Sequence, residues 1–149
     1  MSDLITRGMI LLDLEANDKN EVIQKLSKVI ESQGRLIALE GFLEQVNKRE
    51  ETFPTSIGFN VAIPHGKCDS VRKAALAFAR LKNEVKWSED ENAKYVFLIG
   101  VSEKEAGNKH LQILAQLSRN IMKEEFRERL EQSESIEEIL SILSFDEIA

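Results

Sequence analysis

The sequence predicts an α/β fold in which helices cover at least one β-sheet. Apolar, strand-like runs alternate with segments of helical periodicity along the chain, and the chain then ends in a helical run. Residues 95–101 form the most hydrophobic segment, which is typical of a central strand buried on both faces. These observations favour a layered α/β architecture over an all-helical or an all-β one.

Length and composition predict one domain that spans residues 1–149. The hydrophobic fraction of 42% and the charged fraction of 31% are ordinary for a globular protein. No apolar stretch approaches the roughly 18 residues of a membrane span. The N-terminal segment also lacks the basic start and long apolar core of a signal peptide. We therefore expect a soluble, cytoplasmic protein without direct membrane insertion.

The charge balance limits the class of partner. Twenty Lys and Arg residues face 26 Asp and Glu residues, so the net charge is −6. This balance argues against nucleic-acid binding, which depends on clustered positive charge, and it permits a basic protein partner. Cys68 is the only cysteine, which excludes an internal disulfide and a CxxC metal site.

In the first third of the chain we predict a strand followed by two helices. The bounded apolar run at residues 10–14 indicates the strand. Asp18 and Glu21 have capping-box spacing, and apolar residues then recur at helical period until Gly34. These signals predict a helix over residues 19–33. A second helical pattern covers residues 39–50.

The middle of the chain predicts a turn-rich loop and three strands. Residues 52–60 contain too many turn formers for a helix. They lead into the strand-like triplet 61–63, which Pro64 ends because proline lacks a backbone donor. We expect the chain to leave the sheet at Pro64. Residues 74–81 and 95–101 are predicted as buried strands.

The last third predicts three amphipathic helices. Apolar residues from Leu111 to Ile121 share one helical stripe, with Asn108 placed to cap that helix. Residues 124–143 contain two further helical pieces. The second begins at Ser135, where Glu138 completes a capping box.

His65 and His110 are the only side chains that titrate near neutrality when unperturbed. His65 follows a buried strand directly, and Gly66 permits a sharp exit, so we expect its ring to point outward. His110 opens a helix, where unpaired N–H groups favour a bound phosphoryl group. A structural or merely exposed histidine is the alternative at both positions.

Three chemistries could use two histidines. Zinc would need three or four ligands, and Cys68 beside His65 is the only hint of a third. No nucleophile elbow supports Ser-His-Asp hydrolysis. Phosphoryl transfer through histidine fits better, since neutral imidazole is nucleophilic and the step needs only cations or N–H donors around the group. Arg49, just ahead of the turn-rich loop, could supply the cation.

Two segments resemble motifs of one family. Arg49-Glu50 followed by PTSIGFNVAIPH at residues 54–65 resembles the active-site signature of the phosphotransferase-system IIA domains of the fructose/mannitol type. KHLQILAQL at residues 109–117 resembles that family's second motif, and residues 10–23 are also similar. The resemblance covers essentially the whole chain.

The resemblance implies a fold, a function and site residues. The fold would be an α/β/α sandwich with a mixed sheet flanked by helices. His65 would be the phosphorylated nucleophile, through Nε2. His110 would be the second active-site histidine, and Arg49 the phosphoryl-stabilising cation. The donor would be the phosphorylated carrier HPr and the acceptor a cysteine of a IIB domain, without metal or cofactor. The alternative is a nitrogen-type regulatory EIIA that binds a partner according to its phosphorylation state.

The loop before His65 differs from the family at two positions, and it contains three apolar residues that could be exposed or buried. Family members often have glycine where Ser56 and Asn60 stand, and Asn60 is a mild change because asparagine tolerates positive φ. Phe53, Ile57 and Phe59 could form an apolar rim for docking carriers. Ordinary core is the alternative reading for Phe53 and Phe59.

Overall fold

The structure, a computed structural model, describes residues 4–104 and 109–143, with the backbone alone at positions 109 and 110. The five strands are β1 (Ile10–Leu14), β2 (Val61–Ala62), β3 (His65–Cys68), β4 (Ala75–Lys86) and β5 (Asn92–Ser102). The α-helices are α1 (Lys19–Ser32), α2 (Leu39–Thr52), α3 (Lys109–Ile121), α4 (Glu124–Gln132) and α5 (Ile136–Ile142). Along the chain, β1 is followed by two helices, then by the four strands β2 to β5, and last by α3 to α5. The strands and helices confirm the predicted α/β class, although they do not alternate one by one.

The strands form one mixed sheet in the order β1-β4-β5-β2, with β3 also paired to β5. The β4–β5 pair is antiparallel, whereas β1 runs parallel to β4 and both β2 and β3 run parallel to β5. Phe78 and Phe97 lie opposite each other at the centre, with ring centroids 4.9 Å apart. Tilted aromatic pairs at this distance add to the stabilisation from burial.

The predicted departure of the chain at Pro64 is wrong. Val61 is paired with Tyr95, and His65 is paired with Ile99 in the same register, so β2 and β3 follow β5 as one interrupted strand. Proline removes one donor, but the Pro64 carbonyl still accepts from the N–H of Ile99 at 3.1 Å. Pro64 therefore interrupts an edge strand without turning it out of the sheet, as proline does at edges.

The two faces of the sheet carry different helices. A Cβ built on Gly66 would lie 3.3 Å from Cε1 of Phe42, so the even-numbered positions of β3 face α2. On the other face, the hydroxyl of Tyr95 donates to Glu131 of α4. The helix α1 packs against α2, and α3 packs against α4. The sheet lies between these helix layers, which confirms the predicted α/β/α sandwich.

The capping signals predict two helix starts correctly. Asp18 accepts from the N–H of Glu21 at 2.8 Å, and the carboxylate of Glu21 accepts from the N–H of Asn17. The hydrogen bond from Asn17, and after it the one from Lys25, lower the pKa of Glu21 below its usual value. Ser135 accepts from the N–H of Glu138 in the same manner at the start of α5. The predicted cap Asn108 lies outside the described residues.

The strand β4 ends five residues later than the sequence predicts, because it continues from Leu81 to Lys86. Its partner β1 ends its pairing at Leu81, and beyond that point β4 pairs with β5 alone. Side chains of such a projecting ribbon face solvent on most sides, so its polar sequence carries no strand signal. Within the described residues, no helix is both long and apolar enough to cross a membrane.

Replacing Gly66 with valine is expected to destabilise the fold, because an added Cβ would approach Cγ2 of Val46 to 3.1 Å and the ring of Phe42 to 3.3 Å. Overpacking of this kind costs about 1–3 kcal/mol. Each kcal/mol lowers Tm by about 2–4 °C at this chain length. Thermal unfolding checks the change, with Gly66→Ala as a milder control. A Gly66→Val variant as stable as the wild type would contradict the packing of β3 on α2.

Candidate functional site

His65 opens the edge strand β3, and its half-buried side chain faces away from α2. Residues opposite each other on parallel strands point to the same side of a sheet. His65 is paired with Ile99 of β5. Ile99 lies four residues after Tyr95 in the same strand, so both side chains point to the same face. The imidazole therefore lies on the face that carries α4, at the edge of the sheet.

A hydrogen bond fixes the tautomer of the His65 ring. Nδ1 lies 2.9 Å from the carbonyl oxygen of Ile63. A carbonyl can only accept, so Nδ1 carries the proton and the lone pair of the neutral ring is on Nε2. Nε2 is therefore the nucleophilic atom of this side chain.

The loop before His65 folds back on β2 as a tight hairpin. The N–H of Ile63 donates to the carbonyl of Thr55, and the N–H of Ile57 donates to the carbonyl of Val61, each at 3.0 Å. The turn of this hairpin lies in left-handed backbone, with φ of 89°, 59° and 62° at residues 58, 59 and 60. The expectation that Asn60 accepts positive φ is confirmed. The hairpin covers the free edge of β2 and brings Thr55 beside Ile63, two residues before His65.

Apolar side chains of this loop face outward. Phe53, Ile57 and Phe59 are 69%, 40% and 47% exposed, so the alternative that the two phenylalanines are core residues is wrong. The guanidinium of Arg127 lies 4.0 Å from the ring centroid of Phe59. Such a cation–π contact stabilises an exposed ring by about 0.5–1 kcal/mol. The loop therefore presents an apolar surface that one ring contact holds against α4.

Arg49 lies in the last turn of α2, where the helix meets this loop. Its Nη1 donates to the carbonyl of Phe53 at 2.6 Å, so the guanidinium is turned toward the loop that leads to β2. The bond also caps the helix end, where cations complement the helix dipole.

His110 is the second residue of α3, as the sequence predicts. Its side chain lies outside the described residues, and the segment before it, residues 105–108, does so as well. The strand β5, which pairs with β3, leads toward this helix.

The zinc alternative has little support in the geometry. His65 and Cys68 differ by three positions in β3, so their side chains point to opposite faces of the sheet. Cys68 packs against the core. Among the side chains that the structure describes, no three His, Cys, Asp or Glu residues gather as a metal site would require.

Glu50 is a residue of the site region whose role sequence reasoning missed. The residue is only 7% exposed, and its carboxylate forms an ion pair with Lys19 at 2.8 Å. The signal was available, because Phe42, Val46 and Glu50 follow one another at four-residue steps on the buried stripe of α2. A carboxylate in such a stripe needs several donors.

A second polar group that the sequence did not indicate joins α4 to the sheet. The Tyr95 hydroxyl donates to Glu131, and Arg80 donates to carbonyls at the end of α4. Burial, and then the hydrogen bond to Glu131, raise the pKa of Tyr95 above its usual range. The same hydrogen bond lowers the pKa of Glu131. This anchor fixes the helix whose Arg127 contacts Phe59.

Comparison with known families identifies the fold and the motifs together. The family model described as "Phosphoenolpyruvate-dependent sugar phosphotransferase system, EIIA 2" matches residues 3–145. The chain belongs to this family. The resemblance of the two histidine motifs to this type of EIIA domain is therefore confirmed.

The curated relatives of this EIIA chain include longer proteins and one of similar length. It is 35% identical over 146 residues to the fructose-specific EIIABC component of Bacillus subtilis, with 97% of this chain matched. It covers only 23% of that protein, and 22% and 17% of two further relatives. It is 34% identical to the fructose-specific EIIA component of Haloferax volcanii, covering 97% of this chain and 94% of that protein.

Solved EIIA structures share the architecture over nearly their whole length. The nitrogen regulatory protein IIA-Ntr of Neisseria meningitidis superposes with a TM-score of 0.87 at 28% identity, covering 95% of this chain and 97% of that one. The mannitol enzyme IIA of Escherichia coli, solved in complex with phosphorylated mannitol IIB, gives a TM-score of 0.80 at 26% identity, covering 94% and 98%.

Proposed function

We propose that residues 1–149 act as one cytoplasmic phosphoryl-relay domain, which accepts a phosphoryl group from phosphorylated HPr on Nε2 of His65. The observation that carries the proposal is the hydrogen bond from Nδ1 of His65 to the Ile63 carbonyl, at 2.9 Å. It leaves the lone pair on Nε2 of a ring that the edge strand holds on one face of the sheet.

The transfer is a direct exchange of one P–N bond for another. Nε2 of His65 attacks phosphorus, the bond to the donor's histidine nitrogen breaks, and its electron pair returns to that nitrogen. The proton on Nδ1 stays in place, so the phosphorylated ring carries positive charge that the Ile63 carbonyl stabilises. A cationic ring is a good leaving group, which keeps the phosphoryl group transferable in the next step.

Arg49 and His110 complete the proposed site. A loose phosphoryl-transfer transition state carries its negative charge on the equatorial oxygens, and a preorganised guanidinium stabilises that charge. Arg49 projects from the end of α2 toward the loop, from which we assign it this role. His110 is assigned the same role from the first turn of α3, where backbone N–H groups also favour an anion.

The exposed apolar loop is the proposed docking surface for both carriers. Phe53 and Ile57 are 69% and 40% exposed, and they flank the strand that leads to His65. Exposed aromatic side chains of this kind are enriched in protein interfaces. The net charge of −6 would complement a basic face on a carrier.

The proposed acceptor is the cysteine of a IIB domain, and the proposed pathway is uptake of fructose. The structural relative from E. coli was solved with phosphorylated IIB, and the relatives from B. subtilis and H. volcanii are fructose-specific components. An EIIA domain of this kind would not contact the sugar itself, so the assignment to fructose depends on these relatives.

Reconstituted labelling tests the function. The protein is incubated with ³²P-phosphoenolpyruvate, enzyme I and HPr. We expect one acid-labile phosphoryl group per chain, which a fructose-type IIB domain then removes. Omitting HPr should abolish the label. A wild-type chain that stays unlabelled in the complete mixture would contradict the proposal.

A nitrogen-type regulatory role is the second candidate, and the similarity to IIA-Ntr of N. meningitidis favours it. Both functions use the same histidine, so labelling alone does not separate them. Affinity capture with the unphosphorylated and phosphorylated protein separates them: a sugar-specific IIB supports transport, whereas retention of a kinase or channel in only one state supports regulation.

A further inference from the structure

The buried carboxylate of Glu50 accepts from four donors on three other segments of the chain. Oε1 lies 2.8 Å from Nζ of Lys19 at the start of α1, and it accepts from Nε1 of Trp87 at 3.2 Å and from the N–H of Thr55 at 3.3 Å. Oε2 accepts from the hydroxyl of Thr55. The first helix, the turn between β4 and β5 and the loop before β2 therefore meet at one side chain.

Hydrogen bonds connect this carboxylate to the His65 ring in three consecutive steps. Glu50 holds both donors of Thr55, the Thr55 carbonyl accepts from the N–H of Ile63 at 3.0 Å, and the Ile63 carbonyl accepts from Nδ1 of His65 at 2.9 Å. The peptide unit that orients the imidazole is therefore attached to the end of α2 through Thr55. A shift of Thr55 would move Ile63, and the acceptor of Nδ1 would move with it.

We propose that Glu50 is a positioning residue for phosphoryl transfer, which acts through Thr55 and Ile63 to set the orientation and tautomer of His65. The inference rests on the proposed role of His65 as phosphoryl acceptor. Glu50 is buried within the protein, so it is not expected to contact HPr. Its effect is expected in the rate of the transfer step rather than in the affinity for the donor.

Glutamine cannot reproduce this arrangement, although it has the same shape. A carboxylate offers two acceptor oxygens, whereas an amide offers one oxygen and an NH₂ group. In Glu50→Gln, the NH₂ group must face either the Thr55 hydroxyl or the Lys19 and Trp87 donors. Facing Lys19 and Trp87, the NH₂ group sets donor against donor. Facing the Thr55 hydroxyl, it turns that hydroxyl from a donor into an acceptor, and the bond is no longer assisted by a carboxylate charge. The ion pair with Lys19 is lost in both orientations, so the Thr55 end is held less firmly.

The test compares four variants. Glu50→Gln and Thr55→Val each remove part of the connection, and Thr55→Ser retains the hydroxyl. Glu51→Gln is the matched control, since it makes the same chemical change at the adjacent, exposed carboxylate. Two quantities are measured: the ¹⁵N shifts of the His65 ring in the unphosphorylated protein, and the transfer rate as a function of phospho-HPr concentration.

We expect wild type, Thr55→Ser and Glu51→Gln to show the Nδ1–H tautomer and similar rates. In Glu50→Gln and Thr55→Val, the ring should show mixed tautomers. Their maximal transfer rate should fall about 10- to 100-fold with little change in KM, as expected when a reacting group is misplaced by a fraction of an ångström. A merely structural role would not change the ring tautomer.

Wild-type tautomer and rate in both Glu50→Gln and Thr55→Val would overturn the proposal, as would a wild-type ring with its proton on Nε2. If Glu50→Gln does not fold, the difference between Thr55→Val and Thr55→Ser decides it in the same way. An unlabelled wild-type chain would instead overturn the proposed function, and the ring shifts would still show whether Glu50 sets the tautomer.

Discussion

Replacing His65 with alanine is expected to abolish phosphoryl acceptance completely. The variant removes Nε2, the nucleophilic atom of the ring. Nε2 carries the lone pair because Nδ1 carries the proton and donates it in a hydrogen bond to the Ile63 carbonyl. No other group in the proposed mechanism can form the P–N bond. The residues that stabilise the phosphoryl oxygens remain, but the site no longer has an acceptor nitrogen. The measurement is ³²P incorporation from phosphoenolpyruvate, enzyme I and HPr, with detection by acid-lability.

The controls separate loss of chemistry from loss of fold. His65 is half-buried at a sheet edge, and its removal leaves the core residues in place. His65→Ala should therefore keep a wild-type circular dichroism spectrum. The His110→Ala variant should still be labelled, although slowly. Full labelling of a folded His65→Ala variant would refute the assignment of the acceptor.

Replacing Arg49 with alanine is expected to slow transfer by about 10² to 10³, the loss seen when one preorganised donor to a developing negative charge is removed. The guanidinium is fixed by its bond to the Phe53 carbonyl at 2.6 Å, so it needs little reorganisation when the phosphoryl group arrives. Rapid-quench kinetics with phospho-HPr give the rate. Both kcat and kcat/KM should fall together, because the interaction forms in the transition state.

Lysine and a neighbouring cation serve as controls for Arg49. Arg49→Lys keeps the charge without the planar fork, so it should recover only part of the rate. Lys48→Ala removes an exposed positive charge from the preceding position of α2. That variant should transfer at close to the wild-type rate at moderate salt. Equal rates for Arg49→Ala and the wild type would show that Arg49 takes no part in the reaction.

The sequence predicted correctly those helix starts and strands that depend on interactions between residues close together in the chain. The start of α1 follows from Asp18 and Glu21, and the start of α5 from Ser135 and Glu138, since each cap forms within four residues. The central strand β5 follows from its continuous apolar run, because a strand buried on both faces needs no alternation.

Elements that depend on distant partners could not be predicted in the same way. The strand resumes after Pro64 because the backbone of β5 forms hydrogen bonds with β3. The side chains of residues 64–68 show no strand pattern that would have predicted this pairing. The polar end of β4 remains a strand because the start of β5 pairs with it. In both cases, backbone hydrogen bonds to a distant segment determine the structure, and the side-chain periodicity does not indicate a strand.

The same division holds for the site. The position of Arg49 at a helix end followed from sequence, as did the positive φ of Asn60. The position of His65 at the start of a strand did not, because the sequence predicted that the chain leaves the sheet at Pro64. The contacts that hold the loop did not follow from sequence either. Glu50 meets Trp87 and Lys19 across 37 and 31 positions of chain, and Arg127 meets Phe59 across 68. Such pairs depend on the arrangement of the layers.

The most direct measurement is the identity of the phosphorylated nitrogen. Histidine-¹⁵N-labelled protein is phosphorylated through HPr, and ¹⁵N–³¹P couplings and ring shifts are recorded at alkaline pH, where phosphohistidine persists. We predict one phosphoryl group, bound to Nε2 of His65, with Nδ1 of that ring facing the Ile63 carbonyl. A phosphoryl group on Nδ1 of His65, on His110 or on any other side chain would contradict it.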